Sequence, residues 1–502
     1  MRTKKAFKNA FYSILYQIIA VVCGLITPRY ILVAFGSSYN GVIASANQFL
    51  SMVSFLTLGI AGATRVALYG PLAANDVDAI SRILKSNKKY MQKVGIVTIA
   101  YAIVLSVIYP FFAHNDLTKA ESALIIAIVG FGAIAQYFFG ISNQTLLTAD
   151  QSVYIYFIVQ MCATIANTVL TILLILFGCN IFVVKFFSSF VFFASPFILD
   201  RIVAKKYSLD KYCESDDSAI KGRGAVAFHS IANIIHDNTD LVILTLFTDA
   251  KLISVYTVYM LVVGKVRQIL LMLSNGMEGA FGTLWKRKEI KAFESNYHFF
   301  EYLIYAFTSL IFSIVSIMII PFIKLYTAGV NDVDYVDIKL AVLITITEAV
   351  YCIRHPYVVV VQATGNYEDT KLGAMIEAVI NIVLSIILVM FWGIIGVIIG
   401  TLVANLFRTI QYALFISKRI VHNSIRETYR LVCWALCNTG VIIILDLLSS
   451  NWIMIDNWKS WILSGMINSM IAIIVTLTMS IAFYRNHIFK LVTMIGGLIK
   501  HE

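Results

Sequence analysis

Residues 229–248 read HSIANIIHDNTDLVILTLFT, and the interpretation of this stretch decides the fold. It is apolar enough to lie in a bilayer, yet it carries His229, Asn233, His236, Asp237, Asn238 and Asp240. The steps from 229 to 233, to 236 or 237 and to 240 follow the helical period, so most of these groups share one face. In water this would be an ordinary amphipathic helix. In a very apolar chain it predicts a membrane helix whose polar stripe faces a wet cavity or other helices, because a carboxylate against lipid costs several kcal/mol.

The rest of the chain is that apolar. Its 502 residues are 59% hydrophobic and only 13% charged, with a mean hydropathy of +0.83. Such a composition cannot cover a soluble globule of this length and predicts an all-α polytopic membrane protein. A formal net charge of +11 would attract nucleic acid if it were gathered on one face. The basic residues instead form short clusters between apolar runs, which is a topology signal, so no nucleic-acid partner is expected. The seven cysteines lie mostly inside apolar segments, with no spacing that suggests disulfides or zinc. Cys433 and Cys437, one helical turn apart, read as packing residues.

Residues 1–8 carry Arg2, Lys4, Lys5 and Lys8, and an apolar run follows to Val33. No small-residue cleavage site closes it, so a first, uncleaved span is expected. A tight turn is expected at 36–41. Further spans are expected near 42–63, 94–113, 121–141, 153–178, 180–200, 225–247, 253–283, 298–323, 338–361, 373–391, 394–416, 431–449 and 461–484. That makes about fourteen helices, each near the ~20 residues that a ~30 Å hydrocarbon layer demands. Basic clusters at 82–93, 201–223, 285–291 and 418–430 fall on one side, and the acidic loop with Asp332, Asp334 and Asp337 on the other. By the positive-inside rule both termini are expected in the cytoplasm.

Each half opens with a polar-striped helix, turns tightly, descends through a second helix and enters a basic loop. Six helices per half predicts two parallel lobes, 1–223 and 224–418, with 419–502 as two added helices. Charges also lie inside the apolar spans. Lys265 and Arg267 fall mid-span, with Lys265, Gln268, Met272, Asn275 and Gly279 on one face and Arg267 pointing elsewhere. The second half adds Glu278, Glu348, Arg354, His355, Glu377 and Arg408, and the first half Arg29, Arg65 and Lys185. Such residues pair with one another, snorkel to the interface or line a pathway. Pro356 is expected to break its helix and expose carbonyls beside Arg354 and His355. Guanidinium forks grip phosphate oxygens, and lysine adds a mobile point charge, so a cavity holding several of them suits an anionic, phosphate-bearing cargo. No GxxxxGK[ST] loop, HExxH, GxSxG or cysteine–histidine metal spacing occurs, so neither bound nucleotide nor a metal is expected. Transport driven by an ion gradient or by membrane potential is left.

Three segments carry a family resemblance. They are Asn238-Thr239-Asp240 with the apolar run onward to Ser254-Val255-Tyr256, the loop 362–370 (QATGNYEDT) preceded by Arg354-His355-Pro356, and the basic-then-apolar opening through Pro28-Arg29-Tyr30 to Gly41. With its twelve-plus-two layout, the chain resembles a polysaccharide transporter-type (O-antigen-type) flippase of the multidrug/oligosaccharidyl-lipid/polysaccharide (MOP) superfamily. The resemblance implies a V-shaped exporter in a bacterial inner membrane. By alternating access it would turn an undecaprenyl-pyrophosphate-linked oligosaccharide from the inner to the outer leaflet. It further implies Arg29, Arg65, Lys265, Arg267, Arg354 and Arg408 as head-group contacts, and Asp237, Asp240, Glu278 and Glu348 as counter-ions or cation-coupling groups. Membrane lipids, and the polymerase and glycosyltransferases of the same pathway, would be its partners. A cation-coupled drug antiporter of the same superfamily would favour an acidic, aromatic cavity. A polysaccharide polymerase or ligase would need a larger outer loop than any here.

Overall fold

The protein is described by a computed structural model covering residues 2–57, 59–210, 213–215, 238–274, 276–421, 424–449 and 454–500. Among these residues the regular structure is helical apart from one isolated bridge between His114 and Asp249. The first helices are α1 (Arg2–Phe35), α2 (Ser37–Ser51), α3 (Ile60–Ala74), α4 (Val77–Phe112), α5 (Lys119–Ala135), α6 (Ile141–Ala149), α7 (Tyr154–Leu176), α8 (Ile181–Tyr207) and α9 (Asn238–Phe247). They are followed by α10 (Ala250–Met272), α11 (Met277–Lys286), α12 (Ile290–Tyr326), α13 (Ile338–Thr364), α14 (Tyr367–Trp392), α15 (Ile394–Arg419), α16 (Ser424–Ser449) and α17 (Trp458–Lys500).

Among the described residues, eleven helices are long and apolar enough to cross a membrane, twelve if a bent pair is taken as one span. Helix α9 is the described end of the expected 225–247 span, and α13 occupies the expected 338–361 span with its internal charges. The chain is therefore an all-α, multi-pass membrane protein. Its surface is that of a lipid-facing body. Helix α4 exposes Ile96, Val97, Ile103 and Val104 while burying Asn87 and Thr98. That inverted pattern would aggregate in water and is stable against acyl chains. Buried polar groups also link helices: Asn87 donates to Thr64 at 2.6 Å and accepts from Ser142 at 2.6 Å, joining α3, α4 and α6.

Local chemistry sets the boundaries. Thr118 and Glu121 form a reciprocal capping box at the start of α5. Asp76, Asn180 and Asp337 cap α4, α8 and α13 through their side chains. Three expectations are modified. The 42–63 span is broken at 52–59 into the bent pair, Ser37–Thr57 with Ile60–Ala74, at 44°. The 253–283 span remains one candidate crossing, Ala250–Lys286, but its α-helix is divided into α10 and α11, and Gly276 takes φ 88°. Pro356 breaks nothing: α13 runs through it for 27 residues, since one missing N–H forfeits one hydrogen bond and neighbouring helices hold the rest.

The chain divides into two compact units. Unit 1 comprises Met1–Thr257 with Gly329–Val333. In it α1 packs on α7, α5 on α4 and α8, and α3 on α4 and α6. Asp332 reaches the N-terminus of α2, accepting from the Ser37 backbone N–H at 2.7 Å and from its hydroxyl at 2.6 Å, an anion placed on a positive helix end. Helix α2 runs so close to the start of α10 that a Cβ on Gly41 would lie 1.8 Å from the Ala250 carbonyl oxygen, so only glycine fits.

Asp150, between the spans of α6 and α7, ties α1 and α8 together. It accepts from Lys5 at 3.1 Å, Lys206 at 3.0 Å, Tyr207 at 2.5 Å and Ser152 at 2.7 Å. Partial burial would raise its carboxyl, but the four donors outweigh that and hold it at about 2. A depressed carboxylate stabilises the fold above its unfolded value of about 3.9, and that contribution fades as the pH falls towards about 2. Asp150→Asn is accordingly expected to lower thermal stability at neutral pH. Melting curves of variant and parent should converge between about pH 4 and pH 2; a constant offset there would count against this anchor.

Unit 2 comprises Val258–Ala328 and Asp334–Glu502. Helices α14 and α15 form a tight hairpin against which α13 packs, and α12 lies on α13, α16 and α17. The two C-terminal helices are held by polar bonds as well as packing. Asn438 donates to Ser309 and to Thr476, each at 3.0 Å, and the Trp461 indole N–H donates to the Met318 carbonyl at 3.2 Å.

A candidate cargo site built on buried arginines

Helix α13 carries Glu348, Tyr351 and Arg354 at successive three-residue steps, so they follow one another along a face. Each meets a charge from another helix of unit 2. Arg267 of α10 pairs with Glu348 at 3.1 Å. Arg354 pairs with Glu377 of α14, whose second oxygen lies 3.5 Å from Arg408 Nε of α15. The Tyr351 ring lies between two guanidiniums, 4.9 Å from that of Arg267 and 4.5 Å from that of Arg354, and joins the two pairs through its π face. Arg408 further donates to the Thr370 carbonyl at 2.9 Å, Gln411 Oε1 at 2.5 Å and the Tyr412 hydroxyl at 2.6 Å.

This chain of charges is deeply buried. Glu348 and Arg354 are 7% exposed, Glu377 8% and Arg408 2%, whereas the Arg267 side chain retains 19%. Ions in such a place must be paired and hydrogen-bonded, and these are. Among the described residues, three guanidiniums face two carboxylates. Space for Arg408 comes from Gly373, where a Cβ would stand 2.3 Å from the arginine's Nη1.

The other residues singled out from the sequence are placed as follows. Lys265, two residues before Arg267, is half-buried and bonds Gln268 at 3.3 Å; it has no ion pair among the described residues. Glu278 is exposed in the first turn of α11. Arg29 is half-buried on α1, and Arg65 is exposed on α3, donating to the Ala61 carbonyl at 3.3 Å. These last two belong to unit 1, as does Asp240, which accepts from the Tyr256 hydroxyl at 3.3 Å. Asp237, with His229, Asn233 and His236, lies outside the described residues.

The described part of the opening stretch does bear a polar seam. Asn238 accepts from Gln48 at 2.5 Å and Ser51 at 2.9 Å, Thr245 bonds Ser45 at 2.7 Å, and Asn40 donates to Ser254 at 2.7 Å. Its stripe is spent on α2, by interhelical hydrogen bonds that need no water. Of the six cations implied by the resemblance, the structure joins Arg267, Arg354 and Arg408. Glu377 and Tyr351, which organise them, are not among the residues assigned a role from the sequence. The signal for Glu377 was present, since a lone carboxylate in an apolar span calls for a buried cation.

No family model and no curated protein matches the chain. Solved structures do. The lipid II flippase MurJ in an inward closed conformation superposes with a TM-score of 0.69 at 15% identity, covering 95% of this chain and all of that one (100%). An inward-facing multidrug resistance MATE family transporter of the MOP superfamily gives 0.62 at 12% identity, covering 82% of this chain and 96% of that one. A MATE transporter from Vibrio cholerae gives 0.57 at 14%, covering 84% and 98%. At such identities the likeness is one of fold: this chain has the fold of MOP-type transporters.

Proposed function

We propose that the chain is a polysaccharide transporter-type flippase that carries an undecaprenyl-pyrophosphate-linked oligosaccharide from the inner to the outer leaflet of a bacterial inner membrane. The observation that supports this reading is the buried arginine chain, three guanidiniums against two carboxylates among the described residues within the apolar depth of unit 2. A pyrophosphate is the complement of such a site, because paired N–H donors match its oxygens. Arg267 and Lys265 make the direct contacts, being the least covered cations of this part of unit 2. Arg354 and Arg408 stand behind Arg267 and keep the local potential positive. Asp237, Asp240, Glu278 and Glu348 are counter-ions or cation-coupling groups.

The lobes are 1–223 and 224–418, with 419–502 added, and alternating access is driven by an ion gradient or membrane potential rather than by bound nucleotide. Both termini lie in the cytoplasm, and the partners are membrane lipids with the polymerase and glycosyltransferases of the same pathway. The chain catalyses no reaction of its own. A MATE-like cation-coupled antiporter is the second reading, favoured by the fold of the MATE neighbours and disfavoured by the arginine chain. Profiling the lipid-linked oligosaccharides of cells that lack the protein separates the two. Accumulation of a polyprenyl-pyrophosphate glycan on the inner leaflet is expected; an unchanged profile together with greater drug sensitivity would favour the antiporter.

A further inference from the structure

A second buried carboxylate in unit 2 takes no part in the arginine chain. Glu301 of α12 is 1% exposed. Its Oε1 accepts from the Tyr357 hydroxyl of α13 at 2.8 Å and from Thr428 of α16 at 2.7 Å, and the Tyr305 hydroxyl lies 2.7 Å from that of Tyr357. Neither lysine nor arginine neutralises it among the described residues. Its only basic neighbour at ion-pair range is His298, whose Nδ1 lies 3.8 Å from Glu301 Oε2. The same nitrogen lies 2.9 Å from Glu427 Oε2 of α16. Side-chain exposure falls along this line from 58% at Glu427 through 23% at His298 to 2% at Glu301. One turn before Glu301, the fully buried Tyr297 hydroxyl interacts with Glu301 and Thr428.

We propose that Glu301 is a proton-binding site, loaded from the aqueous surface through Glu427 and His298. A proton taken up by the Glu427 carboxylate passes to His298 Nδ1, giving an imidazolium. A small rotation of that ring then delivers it to Glu301 Oε2, leaving the imidazole neutral and Glu427 ionised again. The carboxyl so formed needs an acceptor for its new O–H, and the buried Tyr297 hydroxyl oxygen, already in contact with Glu301, can supply it. The hydroxyls around the carboxyl group can donate to it or accept from it, so the same ring of partners can hold either form.

A metal ion suits the geometry less well, as no cluster of three or more histidine, cysteine or acidic ligands forms among the described residues. Other charged groups around the site are Glu294 on α12, Arg430 on α16, and His487 and Lys490 on α17. The His487 ring is stacked on Tyr302 with centroids 5.0 Å apart, and it feels the charges of His298 and Glu427 but forms no ion pair with the line among the described residues. The site ties α12 and α13 to α16, so its protonation state can alter how the C-terminal helices sit on unit 2. It rests on this geometry and not on the identity of the cargo.

The test uses the purified full-length protein in lipid nanodiscs. Stopped acidification with a pH-indicator dye is read alongside infrared difference spectra of the carboxyl C=O stretch. The parent is expected to show a protonated buried carboxyl at low pH, which Glu301→Gln abolishes together with about one proton of uptake per chain. His298→Gln should retain the band but slow uptake by at least about tenfold, and His487→Gln should change neither. Should Glu301→Gln fail to fold, Glu427→Gln, at an exposed position, serves in its place and should slow uptake without reducing its extent. Identical band and uptake in the parent and Glu301→Gln would overturn the proposal. So would unaltered rates in both His298→Gln and Glu427→Gln, or loss of the carboxyl band on adding sodium at fixed low pH.

Discussion

Replacing Glu377 with Ala is expected to destabilise unit 2 by about 3–5 kcal/mol, because it leaves the buried Arg354 and Arg408 guanidiniums without their shared carboxylate. Arg408 keeps Thr370, Gln411 and Tyr412. Arg354 keeps the Tyr351 ring, and neither supplies a negative charge. Glu377→Gln preserves shape and one acceptor oxygen, so its loss should be smaller. Removing all three charges together, as Glu377→Leu, Arg354→Met and Arg408→Met, should restore much of the stability, since the cost arises from uncompensated ions and not from lost volume. The reading is the fraction of detergent-solubilised protein that stays monodisperse after heating, compared across the series. If Glu377→Ala matches the parent, the charge chain does not hold these helices together. If the triple variant is no better than Glu377→Ala, packing and not charge accounts for the loss.

Lys265→Gln combined with Arg267→Gln should abolish delivery of the lipid-linked glycan to the outer leaflet while the protein still inserts into the membrane. The two residues separate stability from transport. Among the described residues Lys265 bonds only Gln268, so Lys265→Gln alone should alter stability by no more than about 0.5 kcal/mol, and any fall in export then reports on cargo. Arg267→Gln removes the ion pair of the buried Glu348 and should therefore also destabilise the fold. Adding Glu348→Gln should recover that stability without recovering export. Surface labelling of the glycan in intact cells, set against membrane-inserted protein, measures both. Undiminished delivery by the double variant would sink the cationic-site reading, and recovery of export by Glu348→Gln would assign Arg267 to structure.

The class of the molecule could be read from residue order because bilayer physics is nearly one-dimensional. An apolar run of sufficient length has to be a helix, since every backbone N–H and C=O in lipid must be satisfied within its own segment. The Thr118–Glu121 and Asp337 caps mark helix starts by the same local logic. Local logic was less reliable at irregularities. Pro356 announced a break that α13 does not contain, because the neighbours that hold a helix through one lost hydrogen bond are invisible along the chain. The 42–63 span is bent, and the 253–283 helix divided, where hydropathy was continuous.

Sequence by itself thus determined that this is a many-helix membrane protein, and that several charges lie at depths where each must have a reason. Only the tertiary structure decided those reasons, because whom a buried charge meets depends on residues dozens of positions away. It spent the stripe at 238–245 largely on hydrogen bonds to α2. It gathered Arg267, Arg354 and Arg408 around Glu348 and Glu377, and it left Glu301 facing only hydroxyls and a histidine. Hydrophobicity is a property of each residue and adds up along a chain, whereas charge compensation is a property of pairs and exists only once the helices have packed.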